Sequence, residues 1–461
     1  MDNKTFSGRV IALPVETKVR ELDGKTWLGY NLVRQGATVA IGDLSSIKHN
    51  IGRIQPDIYI GDSAVYRESR AHLYKTLTKN GTKVVVLDTE GGIYYSPEMY
   101  LKRLSPEILQ YVDLLLSWGQ ATDRLFRDYR QNGHTQSRIT GNPCFDLLMP
   151  NLRTFFQQQT EYLRQKYQNF ILINTKFGRF NHFDSKLDHK KLLYDNPEIG
   201  QFQEELFGYF IEMIQEISAQ HQDLNVVVRP HPSENHAVYK KRFKELTNVH
   251  VAHWWSVHPW ALAAQAVIHN GCTTGIEGSL LGRPVISYRP IQNPTVDVYI
   301  PNAVSDEVFS KDELMDAIES LTRSPEQSDR ALQDAQIGLL EDNFHKLDGL
   351  ASTRVCGALF DLSAKSERNR VATKPDHDNK QGGYMISKRV VAALTRALHL
   401  FRAGNHKTQK NYRNQKFSDL TVTEIKSILD KLADIENYQE NILISPISGV
   451  QNAFWLSGTK Q

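Results

Sequence analysis

Cysteine is scarce: Cys144, Cys272 and Cys356 are the only three in 461 residues. Their number is odd and no two form a CxxC pair, which excludes a disulfide framework and gives no zinc-ligand spacing; a reducing compartment is expected. No run approaches the roughly 18 to 20 apolar residues of a membrane-spanning helix. The amino-terminal stretch MDNKTFSGRVIALPVETKVRELDG is polar after one short apolar run, unlike a secretory leader. A dominant charge is missing too: 55 Lys and Arg against 52 Asp and Glu leave a net +3, which points to no class of partner. No segment repeats at the roughly 20 to 50 residues of a repeat architecture. The rest is ordinary. A composition 40% hydrophobic and 23% charged is that of a soluble globular protein, and the length supports two to three domains.

Short β-rich runs alternate with helical patterns. The first series is Val10–Val15, Ala37–Gly42, Asp57–Gly61, Lys83–Asp88, Leu114–Trp118 and Ser137–Gly141, with helices predicted over Trp27–Gln35 and Ala64–Lys79. The second is Phe170–Asn174, Asn225–Arg229, Val249–Ala252, Ala266–Asn270 and Pro284–Tyr288. Such runs read as βαβ units and parallel sheets. The expected fold is therefore α/β, with two Rossmann-like lobes, 1–150 and 151–362, and a cleft between them. The glutamine-rich Met149–Gln168 reads as a connecting segment, and 363–383 as a polar linker. Residues 384–461 read as a basic helical tail. From Met385 to Phe417 there are eight Lys or Arg and no Asp or Glu, and Thr423–Ile435 is amphipathic. The basic stretch suits an anionic membrane surface, at roughly 1 kcal/mol per basic residue. Its apolar side, with Met385, Val391 and Leu394, suits packing on the protein equally well. It lacks the interleaved aromatics of a nucleic-acid site, so no nucleic-acid partner is expected.

In doubly wound sheets ligands sit at the carboxyl ends of strands, and four strand ends here carry chemistry. The run LDTEGGIYY places Glu90 before two glycines that allow a tight loop and close approach of a ligand. A carboxylate there can take a proton from an acceptor hydroxyl; the same residues also read as a plain turn in which Asp88 caps the next helix. In VVVRPHPSEN, prolines brace a turn that presents His231, and Arg229 and His231 suit a leaving phosphate; a solvated histidine on a rigid turn reads equally. In AVIHNGCTTGIEG, a strand ends at Asn270 and a Gly-rich loop opens a helix. Thr273, Thr274 and Gly275 there form an anion site and Glu277 suits ribose hydroxyls, whereas plain threonine capping accounts for only one of the threonines. In ILINTKFGRFNH, Asn174 and Lys176 suit a phosphate or a sugar carboxylate, or form a polar loop.

Taken together, these stretches resemble a family of bacterial surface carbohydrate biosynthesis proteins. More distantly they resemble GT-B glycosyltransferases that use CMP-activated acidic sugars, including polysialyltransferases and the Kdo transferases of capsule and O-antigen (lipopolysaccharide) synthesis. The resemblance rests on Thr89-Glu90-Gly91, His231-Pro232 and Thr273-Thr274, in order over roughly residues 80–290. It implies a GT-B-like fold and transfer of a ketosugar such as Kdo or a sialic-acid-like sugar from a CMP donor to a glycan or lipid-linked glycan. Glu90 would be the general base, His231 would stabilise the departing CMP phosphate, and Thr273 and Thr274 would bind it. The resemblance implies no bound metal or cofactor. The cysteine usage and the polar amino-terminal stretch place the expected enzyme in the cytoplasm, at most peripheral at the inner face of the cell membrane through its basic stretch. Thr89 departs from the family pattern, where an acidic residue is common, although Asp88 is adjacent. A retaining mechanism would need a carboxylate nucleophile, for which Asp184 is the nearby candidate. Teichoic-acid-type CDP-polyol phosphotransferases share the His-Pro turn and a similar loop, and a non-catalytic scaffold subunit is the rival of another class.

Overall fold

The computed structural model describes residues 5–129, 133–183, 197–323, 330–364, 411–438 and 441–458. The strands form two sheets, each with a parallel body. The first holds β1 (Val10–Val15), β2 (Thr38–Asp43), β3 (Ile58–Gly61), β4 (Lys83–Val86), β5 (Leu114–Ser117) and β6 (Gln136–Ile139). The second holds β7 (Phe170–Asn174), β8 (Asn225–Arg229), β9 (Val249–Val251), β10 (Ala266–His269), β11 (Val285–Tyr288) and β12 (Asp306–Val308), in the order β12-β11-β10-β7-β8-β9. Parallel strands are covered on both faces, so they read as unbroken Val/Ile/Leu runs. Ile11, Leu13, Val39, Val85, Leu172, Val227 and Val267 are accordingly at most 1% exposed. The two-lobed α/β, GT-B-like class expected from the sequence is the architecture found.

Two elements depart from expectation in the first half. The helix predicted from Trp27 begins at Lys18 and runs to Arg34. Its polar first turn hid it, but Glu21 accepts from the Thr17 amide at 2.7 Å and so holds the start of the helix. The supposed connector after Met149 is a 3₁₀ turn, Arg153–Phe156, followed by the helix Gln157–Tyr167, with Phe155, Phe156, Leu163 and Tyr167 buried.

The carboxyl-terminal half departs further. The helices Asp334–Phe344 and Ala351–Ala364, expected within the second lobe, return to the first. Arg124 pairs with Asp342 at 2.7 Å, and Arg354 Nε donates to the Thr140 carbonyl at 2.9 Å. Asp146, 3% exposed, fixes this return. It accepts from the Ala351 and Ser352 amides at 2.8 Å each and from Trp27 Nε1 at 3.0 Å, capping the last of these helices and tying it to the first one.

The tail is not a purely helical appendage. Beyond the helix Val422–Glu436, a hairpin of β13 (Ile442–Pro446) and β14 (Ala453–Gly458) joins the first sheet, whose order is β13-β14-β2-β1-β3-β4-β5-β6. β14 lies antiparallel to β2 and reaches it across Gly42, where a Cβ would stand 2.2 Å from the Asn452 carbonyl oxygen. The basic stretch 385–410 and the linker 365–383 lie outside the described residues. At the described end of that stretch Arg413 and Lys416 are ion-paired, to Asp43 at 2.7 Å and Glu16 at 3.0 Å. Among the described residues no helix is long and apolar enough to cross a membrane.

Because Asp146 receives three N–H donors, Asp146→Asn forces an amide N–H against at least one of them. We expect a loss of about 2 kcal/mol or more, read as a lower urea midpoint. An unchanged midpoint would mean that the carboxylate does not hold the return helix.

Candidate functional site

The carboxyl ends of β4, β7, β8 and β10 converge on the cleft. A cavity of about 320 Å³ there is lined from the first lobe by Arg20, Glu90, Tyr95 and Arg103, and from the second by Lys176, Arg179, His231 and Thr273. A smaller cavity of about 50 Å³ shares Arg20, His231 and Thr273 with it and adds Asn174, Arg229, His258, Thr274 and Glu277. Of the residues singled out in the sequence, Glu90, Lys176, His231 and Thr273 line the larger cavity; Asn174, Arg229, Thr274 and Glu277 line the smaller.

On the first-lobe side, Gly91 and Gly92 let the loop after β4 lie flat on Trp118. A Cβ on Gly92 would stand 2.3 Å from the indole, whose Nε1 donates to the Asp88 carbonyl at 2.7 Å. Asp88 is buried and does not cap the following helix; Ser96 does, accepting from the Met99 amide. Asp88 instead receives Arg103 through Nη2 at 2.8 Å and Nε at 3.2 Å. The remaining arm, Nη1, reaches Glu90 at 2.9 Å, while Arg20 lies 3.9 Å from the other oxygen. Burial alone would raise the Glu90 carboxyl, but Arg20, Arg103 and Lys176 outweigh it and hold it below the ordinary value. Glu90 thus faces the cavity ionised, a proton acceptor weakened by its cations.

The turn after β8 is built around a buried carboxylate. Glu234, 0% exposed, accepts from the His231 amide at 3.0 Å, Thr175 Oγ1 at 2.9 Å and Tyr239 Oη at 2.6 Å. The Ser233 amide donates to His231 Nδ1 at 3.2 Å, and Ser233 Oγ lies 2.7 Å from the same nitrogen. A ring nitrogen that accepts from an amide carries no proton, so the neutral imidazole bears its hydrogen on Nε2. Burial, then Arg20, Lys176 and Lys416, hold His231 well below the usual histidine value, so it remains neutral at pH 7. An Nε2–H donor that does not ionise suits developing negative charge. Arg229 is 6% exposed and donates from Nη2 to the Trp255 carbonyl at 2.7 Å. Burial pushes its guanidinium down to about 10.

The third strand end supplies the helix Thr273–Leu280. Neither threonine caps it: the N-cap is Cys272, which makes no side-chain cap bond. The helix start therefore has no side-chain cap, and Thr273 and Thr274 line the cavities. Gly275, expected to touch ligand, does not line either cavity. Its amide donates to the Cys272 carbonyl at 3.1 Å, and a Cβ there would stand 2.4 Å from His269 Nε2. Its part is packing: it lets the helix close on the buried His269, whose Nδ1 accepts from the Gly271 amide at 2.9 Å. Glu277 lies 3.5 Å from His258 Nε2. Lys176 sits over the Tyr95 ring at 5.4 Å, spanning the cleft.

Among the described residues, several buried polar atoms beside the smaller cavity have no hydrogen-bond partner: both side-chain atoms of Asn174, Arg229 Nε and His258 Nδ1. Buried polar groups are normally satisfied, so a cluster of orphans at one cleft is what a site for a polar, anionic ligand looks like. Sequence reasoning missed Arg20, Arg103, Arg179, Glu234 and His258. Arg20 follows the end of β1 and Glu234 lies three residues past His231, so the strand-end rule pointed near both; Arg103 has no local signal. Asp184 lies outside the described residues. Among the described residues no group of three or more His, Cys, Asp or Glu side chains is placed to hold a metal.

The chain is thus a two-lobed α/β protein of the GT-B-like class, with a basic interlobe cleft at its strand ends. No protein-family model matches it, and no curated protein matches it in sequence. Several solved structures align with it. UDP-GlcNAc 2-epimerase from Neisseria meningitidis, bound to UDP-GlcNAc, is 14% identical with a TM-score of 0.46, over 76% of this chain and 98% of that one. The wall teichoic acid polymerase TagF is 12% identical with a TM-score of 0.48, over 79% and 90%. Anabaena HepE, in complex with UDP and glucose, is 12% identical with a TM-score of 0.40, over 78% and 99%.

Arg20 lowers both Glu90 and His231. Removing a cation raises the pKa of its neighbours, so in Arg20→Gln both groups should titrate at higher pH than in the wild type. NMR of the Glu90 carboxyl carbon and the His231 ring reads this directly. A shift in neither would mean that Arg20 does not face them.

Proposed function

We propose that this protein is a GT-B glycosyltransferase of surface polysaccharide synthesis that transfers an acidic ketosugar from a CMP donor to a glycan. The observation that carries the reading is that Glu90 and His231, from opposite lobes, line one cavity beside the open helix start at Thr273. Arg20, Arg103, Lys176 and Arg179 face a single carboxylate, Glu90, in that cavity. A donor with one phosphate and one sugar carboxylate complements that excess.

In the proposed reaction Glu90 takes the proton of an acceptor hydroxyl. The hydroxyl oxygen bonds to the anomeric carbon and the bond from that carbon to the phosphate oxygen breaks. His231 Nε2–H and the first amides of the Thr273–Leu280 helix receive the departing phosphate, with Arg229 behind them as a buried cation. Asn174 and Glu277 are left for the polar groups of the nucleoside or the sugar.

A ligand that binds the folded state raises its stability by mass action. In a thermal-shift panel of CMP, CDP, UDP, GDP and ADP we expect stabilisation by CMP, lost in Thr274→Ala. Stabilisation by CDP or UDP instead would transfer the reading to a polyol-phosphate or hexose transferase, and none at all would favour a scaffold. With a CMP-ketosugar and acceptor, His231→Ala should lower kcat about 10²- to 10³-fold, and Glu90→Gln about 10²- to 10⁴-fold without loss of donor binding. Wild-type turnover in either variant would remove that residue from the chemistry.

A further inference from the structure

The segment 411–420 connects the two lobes at the cleft, and no sequence motif marks it. It is fastened to the first lobe by Phe417 and Leu420, each 4% exposed in the core. The Lys416–Glu16 and Arg413–Asp43 pairs reinforce the attachment, and Lys18 Nζ donates to the Asp419 carbonyl at 2.7 Å. Toward the second lobe it extends two side chains. Tyr412 stacks on Phe183 with ring centres 5.5 Å apart. Gln415 Nε2 donates both its hydrogens, to the Pro232 carbonyl at 2.7 Å and the Glu234 carbonyl at 2.9 Å.

Those two carbonyls flank Ser233, the residue whose amide and hydroxyl hold His231 Nδ1. The conformation of the turn is set inside the second lobe by the Glu234 carboxylate. Where the turn stands relative to the first lobe is a separate matter, and Gln415 is a polar link that addresses it. Glu90 belongs to the first lobe and His231 to the second, so the distance between them depends on that register.

We propose that residues 411–420 form a strap that registers the His231 turn against the first lobe, and that Gln415 is the positioning residue through which it acts. The catalytic consequence rests on the proposed function; the mechanical one does not. Misplacing a reacting group by a fraction of an ångström slows turnover while leaving donor binding nearly intact. The strap therefore affects kcat more than donor KM.

Two measurements on the full chain test this. Hydrogen exchange of the peptide 230–236 should speed up in Gln415→Ala, and also in Gln415→Glu, which keeps the size but loses the donor. Arg413→Ala, which loosens only the first-lobe attachment, should move it in the same direction. In the transfer assay Gln415→Ala should lower kcat about tenfold with donor KM little changed. It should cost nothing further in a His231→Ala background, because a residue that acts through His231 has no effect once that ring is gone. A residue that only supports the fold would add its cost in both backgrounds. Unchanged exchange at 230–236 in the Gln415 variants overturns the strap, as does an additive cost in the double variant. If the wild type transfers no sugar from any donor, the functional reading fails and the exchange experiment still decides the strap.

Discussion

The buried carboxylate of Asp146 is the interaction on which the two-lobed arrangement depends. A chain that builds one sheet and then another has no inherent reason to keep the two at a fixed distance. Here it crosses back, and the crossing is secured where Asp146 caps the Ala351–Ala364 helix and holds the Trp27 indole. Among the described residues, one of the three apolar clusters runs through both lobes, from Leu13 and Trp27 to Phe156, Leu172 and Trp260. Shared apolar burial of that extent resists independent motion of the lobes, and the cleft above it inherits a defined width.

Within that cleft the two walls are built on different principles. The first-lobe wall is an ionic chain, Asp88 to Arg103 to Glu90, in which a buried acid orients a cation that orients a cavity-facing acid. The second-lobe wall is a hydrogen-bonded turn organised by Glu234, with the helix start at Thr273 beside it. A wall of fixed dipoles suits a phosphate, whose charge it meets without reorganisation.

Most of the sheet framework was legible because fully buried parallel strands leave uninterrupted Val/Ile/Leu runs, and β1, β7 and β8 match their expected bounds. The strand-end positions of Glu90, His231 and Thr273 were legible for a related reason: glycine and proline mark where a buried strand must turn. What was not legible depends on partners distant in sequence. Nothing in Ala453–Gly458 reveals that its neighbour is β2, nor in Ile442–Pro446 that it closes the edge beyond, since a short apolar run does not name a partner distant in sequence. Arg103 lies on a stretch without pattern and finds its role only when Asp88 folds against it. Gly275 has a packing reason that its loop context did not reveal: the buried ring of His269 leaves no room for a Cβ there.

In the proposed reaction, the cations that favour an anionic donor also weaken the base that would deprotonate the acceptor. Base strength falls as pKa falls, and Arg20, Arg103 and Lys176 keep Glu90 low. In the proposed reaction the conflict resolves on binding. A phosphate and a carboxylate entering the cavity engage Arg20 and Lys176, which line it together with Glu90. Their field at Glu90 is then offset by the donor's own charge, and the carboxylate becomes the stronger base only once the sugar is in place. Arg103 remains, because Asp88 holds it by two of its three nitrogens. The residual pull on Glu90 is then that of one arginine whose charge is already shared with another acid.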